Sequence, residues 1–439
     1  MKRFKLWSIH LAIGMGLVAI PAKAQELLTL EEAIEITLDN NYEIRLAKNN
    51  LITDSLGVSP GFAGMLPRVF AQATTNNSTQ NISQTRSNGD VIELDNAKNN
   101  SLNYGVGLDW TIFDGFGMFA RYDQLKELEK LGKAELQSTL LNRVSDVMVT
   151  YYDLVQHQQQ LTALDSTLVI SRQRLELADN RFNIGKASKL EVLNAQVDLN
   201  TDKTLYIRQS EAYANTKIRL NELMGRDPET KFKVRDEVLI ASDLQLSELE
   251  DLATTQNPEL QAQLINKRIS ELELKQVKGN RYPRISANTG YNFSDSESSL
   301  GFTTKNNAHG WNYGFSASID IFNGSNQNRN EKIAKLQIEN STIAIARLTQ
   351  TIKTQLHTAF QTYQTNLSLI ELETKNENIA KENLDITLAK YKIGTIPTIE
   401  FRTAQLNYIQ ATLRLSNAIY QAKLSEITLK QLAGSLSLN

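Results

Sequence analysis

Two stretches of the sequence alternate strictly between apolar residues and residues that are polar or very small. The first covers 102–113 and the second 311–322, and both have aromatic residues near their ends. A period of two over about 11 residues is typical of a β-strand with lipid on one face and water on the other. The same alternation occurs in hairpins that cover a soluble core, so both interpretations are open at this point.

Partner strands are predicted to begin at Pro67 and Pro283, where weaker alternation follows. The predicted strands are therefore 67–78, 102–113, 283–294 and 311–322, with polar external loops at 79–100 and 295–310. The membrane-strand aromatic residues predicted from this pattern are Tyr104, Trp110, Tyr291, Phe293, Trp311, Tyr313 and Phe315.

Long segments with an apolar residue at every third or fourth position follow each strand pair. No proline lies between Arg68 and Asp227, or between Arg284 and Ile396. The narrow apolar seam is typical of a coiled coil, and about 65 residues at roughly 1.5 Å each give a rod of about 98 Å. A compact domain cannot contain such rods. The predicted helices are two long ones, 116–180 and 325–389, each followed by a glycine turn and a shorter helix, 187–224 and 396–433.

Short motifs recur at constant spacing, which indicates an internal duplication. Residues 40–44 (NNYEI) recur as 256–260 (QNPEL), 216 residues later, and 113–115 (FDG) recur as 322–324 (FNG), 209 residues later. In each repeat two shorter helices together match the long one in length, which predicts that they stack end to end beside it. The predicted repeats are 25–225 and 226–439, with a polar linker at 226–243, lateral helices at 30–40 and 246–256, and further helices at 42–66 and 258–282.

The N-terminus has the pattern of a secretory signal peptide, predicted over 1–24. Basic residues at 2, 3 and 5 precede a short apolar run over 6–20 and an Ala22-Lys23-Ala24 cleavage site. A membrane anchor is the alternative, but the run is shorter than the roughly 20 residues that a spanning helix needs. We therefore expect an exported protein.

Charge and composition remove several classes of function. The chain has 47 Lys and Arg residues and 49 Asp and Glu residues, which gives a net charge of −2. It therefore lacks the overall positive charge that is typical of nucleic-acid-binding proteins. Because there is no Cys, disulfides, thiolate metal sites and a lipid-modified cysteine are excluded. The four His residues are scattered, and His157 and His357 are not equivalent under either spacing. We predict no enzyme activity, no catalytic residues, no cofactor and no metal site.

The predicted strands require a closed assembly if they lie in a membrane. No segment after the signal approaches 18 consecutive apolar residues, so the strands would have to form a closed barrel. Four strands cannot close, and open sheet edges are excluded from lipid. Three chains would supply twelve strands, which predicts a homotrimer.

The ordered set of motifs resembles the TolC family of outer membrane efflux proteins, also called outer membrane factors. The resemblance rests on the signal peptide, the doubled strand–strand–long-helix–glycine-turn–helix unit, 113–115 (FDG), 181–185 (RFNIG) and 391–395 (YKIGT). It implies a mainly α fold with membrane β-strands: a trimeric α/β-barrel whose twelve strands lie in outer membrane lipid and continue into a helical tunnel through the periplasm. It further implies passive export of drugs, small molecules or proteins. The partners would be a periplasmic adaptor (membrane fusion protein) and an inner-membrane pump of the RND, ABC or MFS class.

The resemblance also implies functional residues at the periplasmic tip. Glu191 and Glu400 would form carboxylate rings at the entrance that favour cations, or they are ordinary exposed helix acids. Tyr391 fits the tyrosine of the family's closing contacts, but Ile396 occupies the usual arginine position and Thr403 replaces a second acidic residue. Closure of the tip is therefore expected to use other contacts. The adaptor-docking tip would consist of Ile184, Gly185, Lys186, Ile393, Gly394 and Thr395, whose glycines are also explained by the helix turns alone.

The competing function is a secreted trimeric coiled-coil scaffold or adhesin that has no pore. Both functions use long rods, so the sequence pattern of the helices does not separate them. Only the transport channel requires that the strands lie in a membrane and enclose a conducting path.

Overall fold

The computed structural model describes residues 26–299 and 303–436, and the predicted signal peptide lies outside them. The order of elements is the same in both halves of the chain. The first half contains β1 (Glu26–Leu28), α1 (Leu30–Asn40), α2 (Tyr42–Gly57), β2 (Arg68–Thr85), β3 (Val91–Asp114), α3 (Gly117–Asn183) and α4 (Lys189–Leu223). The second contains β4 (Phe232–Val234), α5 (Leu246–Gln256), α6 (Pro258–Gly279), β5 (Arg284–Ser298), β6 (Lys305–Ser318), α7 (Asn326–Ile393) and α8 (Thr398–Leu432).

The helices follow the apolar periodicity closely. Helix α1 has the predicted bounds, and Thr29 caps it: the Thr29 hydroxyl accepts from the backbone N–H of Glu32, whose carboxylate accepts from the Thr29 N–H. The long helices α3 and α7 have 67 and 68 residues, so each extends a few residues beyond its predicted C-terminus. Helix α2 ends at Gly57 and not at the predicted residue 66, because Gly57, Pro60 and Gly61 interrupt the helical pattern.

The four long strands form one antiparallel sheet in the order β2-β3-β5-β6. The register places the alternating apolar residues of all four strands on one face; Val106, for example, lies opposite Tyr291, and Tyr291 lies opposite Trp311. Strands β3 and β5 join the two repeats in the middle of the sheet. Within the described residues, the outer edges of β2 and β6 carry no strand partner.

The strand bounds predicted from the sequence were wrong at both external loops and at the end of β6. Within the predicted loop 295–310, β5 continues to Ser298 and β6 already begins at Lys305. The segment 79–100, predicted as an external loop, instead continues β2 and β3 as a ladder to a turn in which Arg86 N–H donates to the Asp90 carbonyl at 2.7 Å. Its Thr, Ser, Asn and Gln residues lack apolar alternation but still pair through the backbone. Strand β6 ends at Ser318 instead of residue 322, because Ser318 already lies opposite Arg284, the first residue of β5.

The shorter helices of each repeat stack end to end, as the helix lengths predicted. Asn41 caps α2 by accepting from two backbone N–H groups, and its Nδ2 donates to the carbonyl of Leu223 at the end of α4, at 2.8 Å. Asn257 makes the equivalent bond to the Leu432 carbonyl at 3.0 Å. At the junction Gly225 has φ +66°, and a Cβ on it would lie 2.7 Å from the Asn40 carbonyl oxygen, so glycine is required there.

Replacing Asn41 with Ala is expected to destabilise this junction. The variant loses an N-cap and a bond between two helices, and N-cap removal typically costs about 1 kcal/mol. Thermal unfolding of Asn41→Ala should therefore begin at a lower temperature than that of Asn50→Ala, an exposed position on the same helix. Equal unfolding temperatures for the two variants would show that the junction contributes no stability.

The linker between the repeats is bound to α8 by a buried ion pair. Lys423 Nζ donates to the Leu239 carbonyl at 2.8 Å and lies 3.0 Å from Glu426, whose Oε2 accepts from the Ala241 N–H. Burial alone would raise the pKa of the Glu426 carboxyl, but Lys430 and Lys423 outweigh it and the pKa is lowered. The linker is therefore held against α8 by side-chain contacts, although β4 is the only regular secondary structure described within it.

Candidate functional site

The turns at the tip of the rods have the geometry predicted for them. Gly185 follows α3 with φ +74°, and Gly394 follows α7 with φ +81°, which are left-handed conformations that favour glycine. Lys186 N–H donates to the Arg181 carbonyl, and Thr395 N–H to the Lys390 carbonyl. The structure exposes all six residues of the expected adaptor-docking tip: Ile184, Gly185, Lys186, Ile393, Gly394 and Thr395.

Tyr391 lies in the interior of the tip, stacked on Phe401 with ring centroids 5.1 Å apart. Arg181 Nη2 donates to the Tyr391 carbonyl at 2.5 Å, and its guanidinium lies over the Tyr391 ring. The Tyr391 hydroxyl donates to Glu191 Oε1 at 3.3 Å, and Arg181 Nη1 lies 3.9 Å from the same oxygen. The structure thus brings Tyr391 and Glu191 together in one contact that links α7 to α3 and α4.

The remaining predicted entrance residues are arranged differently. Glu400 is exposed on the first turn of α8, whereas Glu191 is half-buried in its contact with Arg181. Ile396 packs against the cluster that contains Tyr391 and Phe401. Thr403 is exposed, and its hydroxyl donates to the Ile399 carbonyl within α8. The two acids are therefore not equivalent, and the ring of paired carboxylates stays a prediction.

A buried cluster of two arginines and two aspartates lies farther from the glycine turns than Glu191 does, up to about three helical turns along α4. Arg402 on α8 donates to both carboxylate oxygens of Asp202 on α4, each at 2.8 Å. Arg174 on α3 lies 2.6 Å from Asp198, and Arg402 Nε lies 3.6 Å from the other Asp198 oxygen. Since the Arg402 and Asp202 side chains are only 7% and 1% exposed, water screens this bidentate pair very little.

Neutral polar side chains complete the cluster. Ser171 Oγ donates to Asp202 Oδ2 at 2.5 Å, and Gln405 Nε2 donates to Ser171 Oγ at 2.9 Å. Arg174 Nε donates to Thr398 Oγ1 at 3.1 Å. The cluster is electrically neutral, and it ties the α3–α4 pair of the first repeat to α8 of the second. Breaking such a buried pair by removing one partner typically costs about 3–5 kcal/mol.

The apolar face of the sheet is uncovered in the single chain. On β6 the side chains of Trp311, Tyr313 and Phe315 are 72%, 83% and 79% exposed. They continue across the sheet to Leu108 and Val106 on β3. A contiguous exposed apolar face of this size marks a surface that contacts lipid or another protein.

The opposite face is lined by glycines and neutral amides. Gly105 lies beneath Asn292, so that an added Cβ would be 2.4 Å from the Asn292 Oδ1, and Gly107 lies beneath the ring of Phe70 in the same way. Asn292 Nδ2 donates to Asn312 Oδ1 at 2.7 Å. Because the glycines leave space beneath the larger side chains, this face of the sheet is smooth, polar and mostly uncharged.

Within residues 26–299 and 303–436, no helix is both long enough and apolar enough to span a membrane. In the same ranges, no group of three or more His, Asp and Glu residues is placed to hold a metal ion.

The family model described as outer membrane efflux protein matches residues 33–226 and again 249–435. The chain belongs to this family. The two matched segments also correspond to the two halves that repeat each other in the structure.

Individual relatives of this efflux protein agree with the family match. The outer membrane protein TolC of Vibrio cholerae serotype O1 is 22% identical over 312 residues, which cover 69% of each chain. The Campylobacter jejuni CmeC outer membrane channel has a TM-score of 0.79 at 16% identity, over 99% of this chain and 94% of that one. The open-state Neisseria gonorrhoeae MtrE outer membrane channel has a TM-score of 0.73 at 17% identity, over 93% and 90%. The predicted TolC family and TolC-like fold class are confirmed.

The buried ionic cluster of this efflux protein is not predicted from its sequence. Its four charged residues come from three helices, α3, α4 and α8, and nothing in the helical pattern distinguishes them from surface charges. One signal was available: each breaks the internal repeat, because the position 209 residues away is neutral. The pairs are Arg174 with Asn383, Leu193 with Arg402, Asp198 with Asn407, and Asp202 with Ala411.

Proposed function

We propose that three copies of this chain form an outer membrane channel that exports solutes passively, together with a periplasmic adaptor and an inner-membrane pump. The observation that carries the proposal is the four-stranded sheet, whose outer edges on β2 and β6 have no partner in the described residues. Its mainly apolar face suits lipid, but unpaired backbone groups at two edges do not. If β6 of one copy pairs with β2 of the next, the backbone groups at both edges are hydrogen-bonded and the sheets close into a barrel.

The rods support the same assembly. Helices α3 and α7 are each roughly 100 Å long at ~1.5 Å per residue, so they extend the sheet into a long duct. Apolar residues are also exposed along α7 and α4 in the single chain, among them Ile333, Ile343, Val197 and Ile207. These rows would be covered by neighbouring copies in a trimer.

The channel proposal is tested by isolating the protein from membranes and measuring conduction. We expect trimers in the outer-membrane fraction that dissociate only on heating, and stepwise ion conductance in planar bilayers. Soluble monomer in a periplasmic extract would contradict the proposal. Trimers without conductance would favour the secreted scaffold or adhesin instead.

The buried ionic cluster is proposed to hold the tip closed at rest. It joins α3 and α4 to α8, so the helix pairs of the two repeats cannot separate while Arg402 remains bound to Asp202. The Arg181–Tyr391–Glu191 contact adds a second link nearer the entrance. An adaptor that engages the exposed glycine turns would open the tip by moving these helices apart.

Glu400→Gln is expected to weaken cation preference more than Glu191→Gln does. Glu400 is exposed on the first turn of α8, whereas Glu191 is already compensated by Arg181. The reversal potential of the channel in a salt gradient measures this preference. Glu339→Gln, an exposed acid near the other end of α7, is the matched control. If the double variant Glu191→Gln with Glu400→Gln kept the original selectivity, no acidic ring would operate at the entrance.

A further inference from the structure

The sheet face opposite the apolar one carries no charged side chain over most of its height. The register places the even-numbered residues of 70–78, 290–298 and 306–312 and the odd-numbered residues of 99–107 together on this face. We name these positions the neutral wall. They hold glycine, alanine, serine, threonine, asparagine and glutamine, and one aromatic residue, Phe70. The wall therefore offers many hydrogen-bonding groups and no fixed charge.

This absence of charge belongs to one face of the sheet and not to the strands as a whole. Residues 294, 296 and 298 of β5 are serines of the neutral wall, whereas Asp295 and Glu297 alternate with them and lie on the other face. On the face of the neutral wall, Arg68 and Asp109 lie opposite each other just below its inner end. The Arg68 guanidinium lies over the ring of Phe70, 5.3 Å from its centroid, so this charge adjoins only the innermost row. Charge is thus present at the same height of the sheet but kept off the wall.

Glycines in the neutral wall let amide side chains lie along its surface. A Cβ on Gly105 would be 2.4 Å from Asn292 Oδ1, and a Cβ on Gly290 would be 3.3 Å from Asn312 Oδ1, so each amide covers a glycine of the neighbouring strand. Asn292 Nδ2 donates to Asn312 Oδ1 at 2.7 Å, which holds the two amides in one orientation. Asn312 and, on β2, Gln72 are exposed. The wall therefore presents ordered amides to whatever lies in front of it.

Amide and hydroxyl groups without charge suit a solute that is itself uncharged and rich in hydroxyls. An amide both donates and accepts hydrogen bonds, and so does each hydroxyl of a sugar. A charged solute gains no ionic partner on the wall, and an apolar solute finds little apolar surface to cover. A polypeptide backbone can bind amides, but charged and apolar side chains on it gain nothing. Among polymers, an uncharged oligosaccharide matches the wall best.

We propose that the neutral wall binds uncharged oligosaccharides, which makes them a class of cargo for this channel. The proposal rests on the proposed function, in which the apolar face contacts lipid and the neutral wall encloses the conducting path. Three copies would continue the wall around the whole barrel, so a sugar chain would meet amides on every side. Each hydrogen bond replaces one to water, so binding is weak enough for the chain to leave again.

Block of the channel current by maltoheptaose tests the proposal. The sugar is added to trimers in planar bilayers, on the side that the turn at 86–90 faces. We expect maltoheptaose to lower the single-channel conductance roughly twice as much as polyethylene glycol of the same mass and concentration, because the ether oxygens of that polymer cannot donate to the amides. An equal effect of the two polymers would mean that they only exclude volume, and the proposal would be wrong. A stronger block by an uncharged glycine–serine peptide would assign the wall to polypeptides and would overturn it as well.

Variants of exposed amides locate the binding surface. Gln72→Ala combined with Asn312→Ala should raise the concentration of maltoheptaose that gives half-maximal block by roughly fivefold, since both variants remove wall amides. Gln72→Ala alone is the second variant, in case the double one does not form trimers. Asn77→Ala combined with Asn307→Ala is the matched control, because these exposed amides of β2 and β6 lie on the other face. An unchanged block in both Gln72 variants would show that the wall does not bind the sugar.

The same recordings separate this proposal from the channel on which it rests. If trimers conduct and maltoheptaose acts no more strongly than polyethylene glycol, the channel stands and only the oligosaccharide proposal is wrong. If the trimers do not conduct at all, the neutral wall encloses no path, and both proposals are wrong.

Discussion

Asp202→Asn is expected to loosen the tip of the channel and to raise its resting conductance. The substitution removes the charge that both terminal nitrogens of Arg402 bind, and it weakens the acceptor of the Ser171 hydroxyl. Arg402, 7% exposed, then keeps only its longer ionic contact to Asp198. Breaking a buried ion pair typically costs about 3–5 kcal/mol, which the helix pairs can relieve by moving apart. Single-channel conductance in planar bilayers measures the opening, and thermal unfolding measures the lost stability.

Two further variants make this result specific. Asn200→Ala changes an exposed residue of the same helix and should leave both measurements unchanged. Replacing Asp202 with Leu and Arg402 with Met removes both charges, so most of the lost stability should return, because an apolar pair carries no desolvation cost. Conductance should stay raised in the double variant, since the directional bond between α4 and α8 is still missing. If Asp202→Asn conducted and unfolded like the unaltered protein, the cluster would not hold the tip.

The sequence predicted the elements whose pattern is set by local physics. Amphipathic periodicity located α3, α7 and the alternating strands, because one face of each must be apolar wherever it packs. Helix α1 has the bounds expected from the sequence, because the capping box at Thr29 acts within one turn. The repeated segments 40–44 and 256–260 indicated the duplication, and the structure places their Asn41 and Asn257 at the end-to-end helix junctions, beside Gly225 and Gly434.

The hairpin beyond Gln80 shows why other parts were not predicted. Most of its residues are polar, and Ile82, Ile92 and Leu94 are too few to make a period of two stand out, so backbone pairing is the main determinant of the strands. Alternation detects a strand only where one face is apolar. The early end of β6 has a similar cause, because it depends on where β5 begins, more than 30 residues earlier in the chain.

The candidate site was predictable in position but not in its contacts. The glycines at 185 and 394 locate the tip, since a positive φ at a helix end is a local requirement. Which acid is paired depends on side chains from four helices, since Glu191 is contacted by both Arg181 and the buried Tyr391. The charged residues at 198, 202 and 402 could not be told from solvent-exposed ones, because the sequence of one helix does not show which of its residues another helix will bury.

Tyr313→Arg is expected to prevent the protein from accumulating in the outer membrane. Tyr313 is 83% exposed in the middle of the apolar face, in a row with Thr289 and Leu108. An arginine on the lipid face costs about 2–4 kcal/mol near the bilayer midplane, and a trimer would incur that cost three times. The measurement is the amount of heat-dissociable trimer in the outer-membrane fraction, which should fall at least tenfold.

Asn312→Arg is the matched control, because the adjacent residue lies on the opposite face, which is lined by amides and glycines. It loses a hydrogen bond with Asn292, worth about 1 kcal/mol, but its charge would remain in water. Trimers should therefore form in nearly normal amounts, with a shift of ion selectivity toward anions, because the new charges lie in the conducting path. Equal trimer yields from both variants would mean that the two faces meet the same solvent. The apolar face would then not be in contact with lipid, and the sheet would need another explanation.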